Sequence, residues 1–414
     1  MKNPIANEGQ FDAERDVAAM WQTDHVRRAR ATAAHMFEIA YGRDTPDEER
    51  ATFDEAIDEY VTNYLFKAAA SDGAHPRFVR DFMPPYSWDG RAVPGARMGG
   101  DNPDNCYRLA GVAHGGRYRV TARPTGPEPA HSSFTLTGNF GTSVTIQTLE
   151  SHELARESDG AFTITIDDQP ANGRPNHMTT APHVKFLFIR ESFEDWAAES
   201  SYDLTIERID TTDTPPLTIE QMAERGAFRA VEDVPLYAWF QRLFSGLPVN
   251  TFRPPLISGS IGGLVTQAGV QGLYQLAADD AVLVRYRPAG AAYVSIETAD
   301  WWFRSIDAHR RQSSLTRAQS VVDADGWITA VIARQDPGIA NWVDVGDTRT
   351  ILFFMRWQGL PAGLPQGDPA VSADLVKLAE LPAELRRAQP IDAAARALQV
   401  STRQKAWDRR TTAD

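Results

Sequence analysis

The sequence predicts a mainly β fold with helical additions: duplicated antiparallel β units in a jelly-roll-like or paired β-sandwich body, preceded by an N-terminal α-hairpin. Three observations support this prediction. From Tyr107 onward, apolar and polar residues alternate with a period of two, which is typical of half-buried strands. The 29 Gly and 26 Pro residues favour many turns. The turn-and-strand pattern of residues 159–190 also recurs in residues 325–356.

The composition of the 414 residues argues against several classes of partner. A formal net charge of -13 disfavours a nucleic-acid partner, because binding to its backbone needs a clustered cationic surface. Cys106 is the single cysteine, which excludes an intrachain disulfide and a cysteine-based metal cage. The N-terminus lacks the apolar core of a signal peptide, and no apolar run approaches the roughly 18–20 residues of a membrane-spanning helix. We therefore expect a cytoplasmic protein with no membrane partner.

Residues 1–82 form the predicted helical segment. Strong helix formers fill the stretch from Phe11 to Tyr41. A second helix should begin at residues 45–48, where Thr-Pro-Asp-Glu is a capping box with Pro at the first helical position. Its apolar face has helical spacing and comprises Phe53, Ile57, Tyr60 and Tyr64. The helix pair either packs on the main body, as most amphipathic helices do, or forms a homodimer through these N-terminal helices.

The rest of the chain divides into four segments. Residues 105–210 are the first predicted β unit and residues 273–360 the second. Between them, residues 217–246 are a helical insertion, which begins at a capping box of Thr218 and Gln221 and breaks at Pro235. The Ser-Gly-Ser-Ile-Gly-Gly stretch at 258–263 lacks the glycine positions of nucleotide-binding motifs, so it is interpreted as a loop. Residues 361–414 should wrap the surface and contribute no chemistry.

The two β units differ at one place, which suggests a site. Asp159-Gly160 and Asp325-Gly326 occupy matching turns, and Arg190 matches Arg356, so these shared positions are interpreted as structural. Residues 301–312 hold two tryptophans followed by Asp, His and two Arg, whereas the matching residues 138–147 are short and plain. We therefore predict a pocket in the second β unit, beside the block that its counterpart lacks.

Asp307 and Asp336 are the candidate catalytic residues of this pocket. Carboxylates beside tryptophan in a concave site can have a raised pKa and act as proton donors. For Asp336 an alternative is favoured, because Asp-Pro-Gly is also a common turn sequence in which Asp caps the backbone. The spacing of the His residues matches no metal motif, so neither a metal nor another cofactor is predicted.

Six further residues are candidates for substrate binding. Trp301 and Trp302 would point to opposite faces of a strand, so one of them can line a pocket while both can equally fill the core. Arg310 and Arg311 can clamp a carboxylate, or they can be solvated or paired with nearby Asp. The predicted binding set is Trp302, His309, Arg310, Gln319, Asn341 and Trp342.

The second β unit resembles the DUF1214 family, a domain of unknown function. The resemblance covers about residues 273–360 and rests on Trp302-x4-Asp307, the Arg-Arg-Gln-Ser-Ser-Leu-x-Arg-x-Gln run at 310–319, Asp-Ala-Asp-Gly-Trp, and Asp-Pro-Gly-Ile-Ala-Asn-Trp-Val-Asp. It implies a β-sandwich or jelly-roll architecture. It implies no reaction and no catalytic residues.

Three functions are compatible with these residues. The preferred hypothesis is an enzyme with hydrolase- or lyase-type acid–base chemistry on a small polar or ring-bearing molecule, and it needs two titratable groups that converge on one cavity. The second is a non-catalytic binding protein for a carbohydrate-like molecule or a hydrophobic ring, which needs only an aromatic-lined cleft. The third is a helix-mediated interaction protein, which would expose an apolar stripe on its N-terminal helices.

Overall fold

The computed structural model describes residues 3–88, 90–257 and 266–412. The chain is mainly β, with several antiparallel or mixed sheets and helices at its N-terminus, which confirms the predicted fold class. The glycine-rich stretch at 258–263 lies outside the described residues. No described helix is long and apolar enough to cross a membrane.

The N-terminal segment contains three α-helices instead of the predicted pair: α1 (Glu8–Met20), α2 (Asp24–Tyr41) and α3 (Phe53–Ala70), with a 3-10 helix at Asp47–Thr52. The predicted first helix is interrupted because Thr23 caps a new helix by accepting from the Val26 amide. The predicted capping box at Thr45 is wrong, since its hydroxyl donates to the Tyr41 carbonyl at 3.0 Å. The predicted buried face of α3 is correct at Ile57, Tyr60 and Tyr64.

The first β unit is a sandwich of a five-stranded and a four-stranded sheet. The five-stranded sheet has the order β1-β4-β10-β6-β7 and the four-stranded sheet the order β11-β5-β8-β9. A separate hairpin of β2 and β3 lies in the connection between the predicted helical segment and the first β unit. The strands are β1 (Val79–Asp81), β2 (Tyr86–Trp88), β3 (Arg91–Val93), β4 (Asn105–Gly111), β5 (Tyr118–Arg123), β6 (His131–Thr137), β7 (Thr145–Glu150), β8 (Phe162–Asp167), β9 (His177–Thr179), β10 (Phe186–Ser192) and β11 (Asp203–Arg208).

The second β unit repeats this arrangement, with sheets of order β12-β13-β19-β15-β16 and β18-β17-β14-β20. Its outer strands extend beyond the predicted bounds of 273–360 on both sides, and β20 comes from the segment that was expected to be only a surface tail. The strands are β12 (Thr251–Ile257), β13 (Ala268–Gln275), β14 (Asp280–Tyr286), β15 (Tyr293–Ala299), β16 (Ser314–Thr316), β17 (Ile328–Ala333), β18 (Trp342–Asp344), β19 (Thr350–Gln358) and β20 (Val371–Lys377).

The two units correspond strand by strand. β4 to β11 occupy the same sheet positions as β13 to β20, and in both units one short strand pairs in parallel: β9 with β8, and β18 with β17. The two matching turns also agree, because Gly160 and Gly326 have φ angles of 84° and 80°, in the left-handed region that favours glycine. The topology is therefore shared, whereas an origin by duplication stays a prediction.

Each sandwich has its own apolar core, and helices α3 and α5 cover the outer faces of the five-stranded sheets. The core between the first pair of sheets includes Val120, Leu136 and Ile164. Helix α3 packs with the outer face of the first five-stranded sheet, and α5 contacts the corresponding face of the second. The remaining helices are α4 (Ile219–Glu232), α5 (Val234–Ser245), α6 (Ala383–Ala388) and α7 (Ala393–Asp408), with 3-10 helices at Ser151–Glu153 and Leu378–Glu380. The predicted capping box at Thr218 is present.

Candidate functional site

The block that distinguishes the second β unit is a loop, residues 300–313, between β15 and β16. Its counterpart between β6 and β7, residues 138–144, is half as long. The prediction that Trp301 and Trp302 stand on a strand is wrong, since both lie in a turn directly after β15. Phe303 and Asp307 have positive φ angles of 68° and 23°, which are unfavourable for residues with side chains and are often found at functional sites.

This loop is anchored to the N-terminal helical segment. The Trp301 indole is buried and donates to Thr45 Oγ1 at 3.3 Å. The Trp302 indole donates to the Glu49 carbonyl at 3.0 Å, and its ring lies 5.0 Å from that of Phe53. A part of the chain remote in sequence therefore determines the orientation of both indoles.

A cavity of ≈ 40 Å³, partly open to solvent, lies where the loop meets the helices. Its walls are mainly apolar and aromatic, and most of them belong to α2, α3 and α5 rather than to the second β unit alone. Trp302 therefore lines a cavity, which was one of the two alternatives for the tryptophans. The cavity lies between the loop and the N-terminal helices, however, and not within the second β unit as predicted. The lining residues are Phe37, Tyr41, Ala56, Ile57, Tyr60, Arg97, Met98, Gly99, Tyr237, Gln241, Trp302 and Phe303.

One polar group of the cavity wall is left without a partner. Tyr41 is buried, and its hydroxyl has no hydrogen-bond partner among the residues that the structure describes. Burial raises its pKa, so the hydroxyl stays protonated at neutral pH and can donate as well as accept. The other phenols of the wall are engaged: Tyr60 donates to the Ala230 carbonyl at 2.7 Å, and Tyr237 makes a long contact of 3.5 Å to the Gly141 carbonyl.

A buried ionic network closes the cavity beside Arg97. The guanidinium donates to Glu59 Oε2 at 2.8 Å and to the Ser305 carbonyl at 2.9 Å, and Asp307 approaches it at 3.5 Å. Arg304 reaches the same Glu59 carboxylate at 2.9 Å. Because carboxylates already occupy both guanidinium groups, the network has little capacity to bind an anionic ligand.

The other predicted residues of the loop, His309 and Arg310, do not line the cavity. His309 packs 6.1 Å from the Trp407 ring of α7, and burial lowers its pKa to about 4, which keeps the imidazole neutral at pH 7. The side chain of Arg310 is exposed, while its backbone amide donates to the Asp307 carbonyl at 2.8 Å. Of the predicted residues in the loop, Trp302 lines the cavity and Asp307 adjoins it through Arg97.

Of the remaining predicted residues, Asp336 and Gln319 bind α7, whereas the side chains of Asn341 and Trp342 bind carbonyls within the second β unit. Asp336 caps the Gly338 amide at 2.8 Å and pairs with Arg396 of α7 at 2.9 Å, which agrees with the turn interpretation. The Asn341 amide bridges the Val321 and Thr329 carbonyls. The Trp342 indole donates to the Ala333 carbonyl at 2.9 Å, and Gln319 accepts from Arg403 at 3.1 Å.

The structure does not bring Asp307 and Asp336 together as an acid–base pair. Asp336 binds α7 at Arg396, whereas the residue after Asp307 binds the same helix at Arg403 through its carbonyl oxygen. Positions seven residues apart on an α-helix are separated by about 10 Å along its axis. Neither carboxylate lines the cavity, and each has its own arginine partner, Arg97 for Asp307 and Arg396 for Asp336, so their action as an acid–base pair stays a prediction.

A second cluster of titratable groups, which the sequence analysis missed, lies between α3, β1 and α5. Lys67 and Asp81 are both fully buried, and Arg190 and Tyr237 lie within electrostatic range of Asp81. The Tyr237 ring also lines the cavity, so the cluster and the cavity are adjacent. No group of three or more His, Cys, Asp or Glu in the described part of the chain is placed to hold a metal ion.

A signal for this cluster was present in the sequence. The apolar face of α3 at Phe53, Ile57, Tyr60 and Tyr64 continues with helical spacing to Lys67. A lysine on the buried face of a helix is unusual, because the charged form is costly to bury. Asp81 gave no comparable signal, since its burial depends on the pairing of β1 with β4.

Comparison with known proteins supports the fold alone. A solved structure of an uncharacterized protein from Burkholderia cenocepacia has a TM-score of 0.71 and 25% sequence identity, and the match covers 88% of this chain and 100% of that chain. The VPA0106 protein from Vibrio parahaemolyticus has a TM-score of 0.41 and 11% identity, over 78% of this chain and 99% of that chain. No protein-family model matches the chain. No curated protein matches it.

Proposed function

We propose that this protein binds a small, uncharged, ring-bearing molecule in the cavity between the N-terminal helices and the 300–313 loop. The observation that carries the proposal is the Tyr41 hydroxyl, a polar group without a partner among the described residues in an otherwise aromatic wall. Ligand pockets of this kind are mainly apolar and have a few polar groups that orient the ligand. A hydroxyl or carbonyl on the ring would pair with Tyr41.

The charge distribution supports an uncharged ligand. Arg97 is the cation of the cavity wall, and its nitrogens already donate to Glu59 and Ser305. An anionic ligand would have to displace Glu59 from this guanidinium, which would cost the buried carboxylate one of its two arginine partners. The cavity of ≈ 40 Å³ is smaller than the roughly 150 Å³ that encloses a benzene ring, so only part of a single ring enters it and the rest lies at its open side.

The first test compares two ligands that differ by one hydroxyl, phenol and toluene. The Tyr41→Phe variant should bind phenol about three- to tenfold more weakly, the range that the net loss of one hydrogen bond produces, while its affinity for toluene should be unchanged. Binding is measured by tryptophan fluorescence titration and by the rise in melting temperature. If the variant binds both ligands as the unmodified protein does, Tyr41 is not a ligand-binding residue.

A second pair of variants locates the ligand. Trp302 lines the cavity, whereas Trp239 on α5 is 55% exposed and lies outside it. Trp302→Phe should abolish most of the fluorescence change on binding, and Trp239→Phe should leave it intact. The proposal is excluded if the signal is instead lost with Trp239.

The other two hypotheses from the sequence stay as proposals. The apolar side chains of Ile39 on α2 and Phe228 on α4 are 72% and 60% exposed, which is the feature that an interaction protein or a homodimer through these helices would use. An enzyme needs titratable groups beside the bound ligand. Lys67 and Asp81, rather than the pair of Asp307 and Asp336, provide these.

A further inference from the structure

Lys67 occupies an unusual environment for a lysine. Its side chain is fully buried on α3, and Nζ has no hydrogen-bond acceptor among the described residues. Nζ lies 5.1 Å from the centre of the Tyr64 ring and 4.8 Å from that of Phe82. Ring faces attract a cation, but they do not replace the hydrogen bonds that a buried ammonium loses.

Asp81, at the end of β1, is in the complementary situation. It is fully buried, and neither carboxylate oxygen accepts a hydrogen bond from another residue in the part of the chain that the structure describes. Lys67 and Asp81 influence each other electrostatically, yet no ion pair joins them among the described residues. Buried polar groups are nearly always satisfied, so an unsatisfied amine close to an unsatisfied carboxyl calls for a functional explanation.

The backbone next to this pair is strained. Phe82 has a φ angle of 51°, in the left-handed region that bulky residues rarely adopt. In this conformation the Phe82 ring faces Lys67 on one side. The centres of the Tyr107 and Phe188 rings lie 5.0 Å and 6.0 Å from the centre of the Phe82 ring. Local strain of this kind persists where the surrounding structure enforces it, and it is common beside reactive groups.

Burial favours the uncharged form of both groups. Desolvation lowers the pKa of Lys67 and raises the pKa of Asp81. Nearby charges oppose these pKa shifts without cancelling them. The charge of Asp233 acts on Lys67, and the charges of Arg190 and Arg80 act on Asp81. The site therefore combines an amine that can act as a nucleophile with a carboxylic acid that can donate a proton.

We propose that Lys67 and Asp81 form a reactive site that captures a small aldehyde or ketone as an imine on Lys67 Nζ. The amine lone pair attacks the carbonyl carbon, a C–N bond forms, and the amine proton moves to the carbonyl oxygen. Asp81 then protonates the resulting hydroxyl, which leaves as water while the nitrogen lone pair forms the C=N bond. The remaining proton on nitrogen returns to the Asp81 carboxylate, so the net reaction releases one water and needs no other reactant.

The inference rests on the proposed function for access to the site. The Tyr237 ring lines the cavity and lies 6.4 Å from the Tyr64 ring, whose centre is 5.1 Å from Lys67 Nζ, so aromatic side chains connect the cavity with the lysine. The aromatic surroundings of Lys67 suit the same ring-bearing class of ligand. The substrate class is therefore an uncharged carbonyl compound, either very small or attached to a single ring.

The test is reductive trapping of the full-length protein at pH 7.4 with acetaldehyde and sodium cyanoborohydride, followed by peptide mapping of all five lysines. Lys185, Lys377 and Lys405 are exposed and serve as internal references. Lys67 should become ethylated about tenfold faster than these references, because each unit by which a lysine pKa falls raises its neutral fraction about tenfold.

Three variants sharpen the test. Lys67→Met should retain the fold and lose the fast ethylation, and Lys185→Met is its control. Asp81→Asn should keep Lys67 in place but slow its ethylation about tenfold or more, the range that general acid catalysis provides. The melting temperature and circular dichroism of each variant show whether it is folded.

Ethylation of the exposed lysines while Lys67 stays unmodified would overturn the inference, as would an unchanged rate at Lys67 in folded Asp81→Asn. Failure of the cavity proposal has a different signature. Fast, Asp81-dependent ethylation of Lys67 together with no effect of Tyr41→Phe on phenol binding would support the imine site and exclude the proposed ligand contact.

Discussion

Glu49 links the 3-10 helix at residues 47–52 to the second β unit. Its backbone carbonyl accepts a hydrogen bond from the Trp302 indole. Its buried carboxyl group accepts a hydrogen bond from the Thr350 backbone amide. Burial, with a smaller contribution from Asp300, raises the pKa of this carboxyl to about 7. Glu49 is therefore uncharged in mildly acidic solution, and at higher pH it becomes a buried anion beside the cavity.

This raised pKa predicts a pH-dependent stability difference. The unfolded chain releases the Glu49 proton near pH 4.5 and the folded chain near pH 7, so ionisation of Glu49 lowers stability progressively between these values and no further above them. Glu49→Gln should match the unmodified protein below pH 4.5 and be more stable at pH 8, as measured by urea unfolding. Glu48→Gln, at an exposed neighbour, is the control. A constant difference across this range would contradict the assignment.

Individual side chains also show where sequence reasoning succeeds. The buried face of α3 followed from spacing alone, and the choice of the turn interpretation for Asp336 followed from its Asp-Pro-Gly context. By contrast, nothing near Tyr41 in the sequence distinguishes it from a core tyrosine. Its unpartnered hydroxyl results from contacts with α5 and the 300–313 loop, which are more than 190 positions away.

At the scale of elements, α7 connects the two β units. Arg403 is buried and donates to the Ala308 carbonyl at 2.9 Å and to the Ser314 carbonyl at 3.1 Å. Its guanidinium also lies over the Trp196 ring of the first unit, 3.9 Å from the centre of the ring. Asp104 lies within electrostatic range of this guanidinium. The segment expected to wrap the surface without chemistry therefore contributes buried polar contacts, which its mixed-charge sequence did not indicate.

Arg403→Met tests this role of α7. The substitution retains the length of the apolar stem but removes the guanidinium that donates to two buried carbonyl groups, so the free energy of unfolding should fall by about 3–5 kcal/mol. Arg387→Met, at an exposed i,i+3 pair on α6, should change it by less than about 0.5 kcal/mol. Guanidinium chloride unfolding measures both. Equal effects of the two substitutions would show that α7 does not support the units through Arg403.

At the scale of the whole molecule, two sandwiches of the same topology have separate apolar cores. Helices α3 and α5 lie on the outer faces of the five-stranded sheets, and the cavity and the Lys67 cluster are formed in part by these two helices. Both candidate sites are thus located where independent elements meet. Such junctions are the usual place for ligand sites, because several elements supply their walls.

The shared topology predicts equal contributions from the two matching turns. Gly160→Ala and Gly326→Ala each force an alanine into a left-handed conformation, which should cost about 1–2 kcal/mol. The costs should add in the double variant to within about 0.5 kcal/mol, because the turns belong to separate units. Ser158→Ala is the control, and urea unfolding the measurement. A clear cost in one unit only would mean that the turns are not structurally equivalent.

The sequence by itself determined the β class, the position of the matching turns, the buried face of α3 and the location of the block that only the second unit has. These features are local: a period of two or of 3.6 residues, or a turn dipeptide, reflects backbone geometry over a few positions. The tertiary structure alone decided that this block meets α3 and α5, that Asp336 and Gln319 bind α7, and that Lys67 and Asp81 are both buried within electrostatic range of each other. Those outcomes depend on contacts between residues far apart in the chain, which local periodicity does not encode.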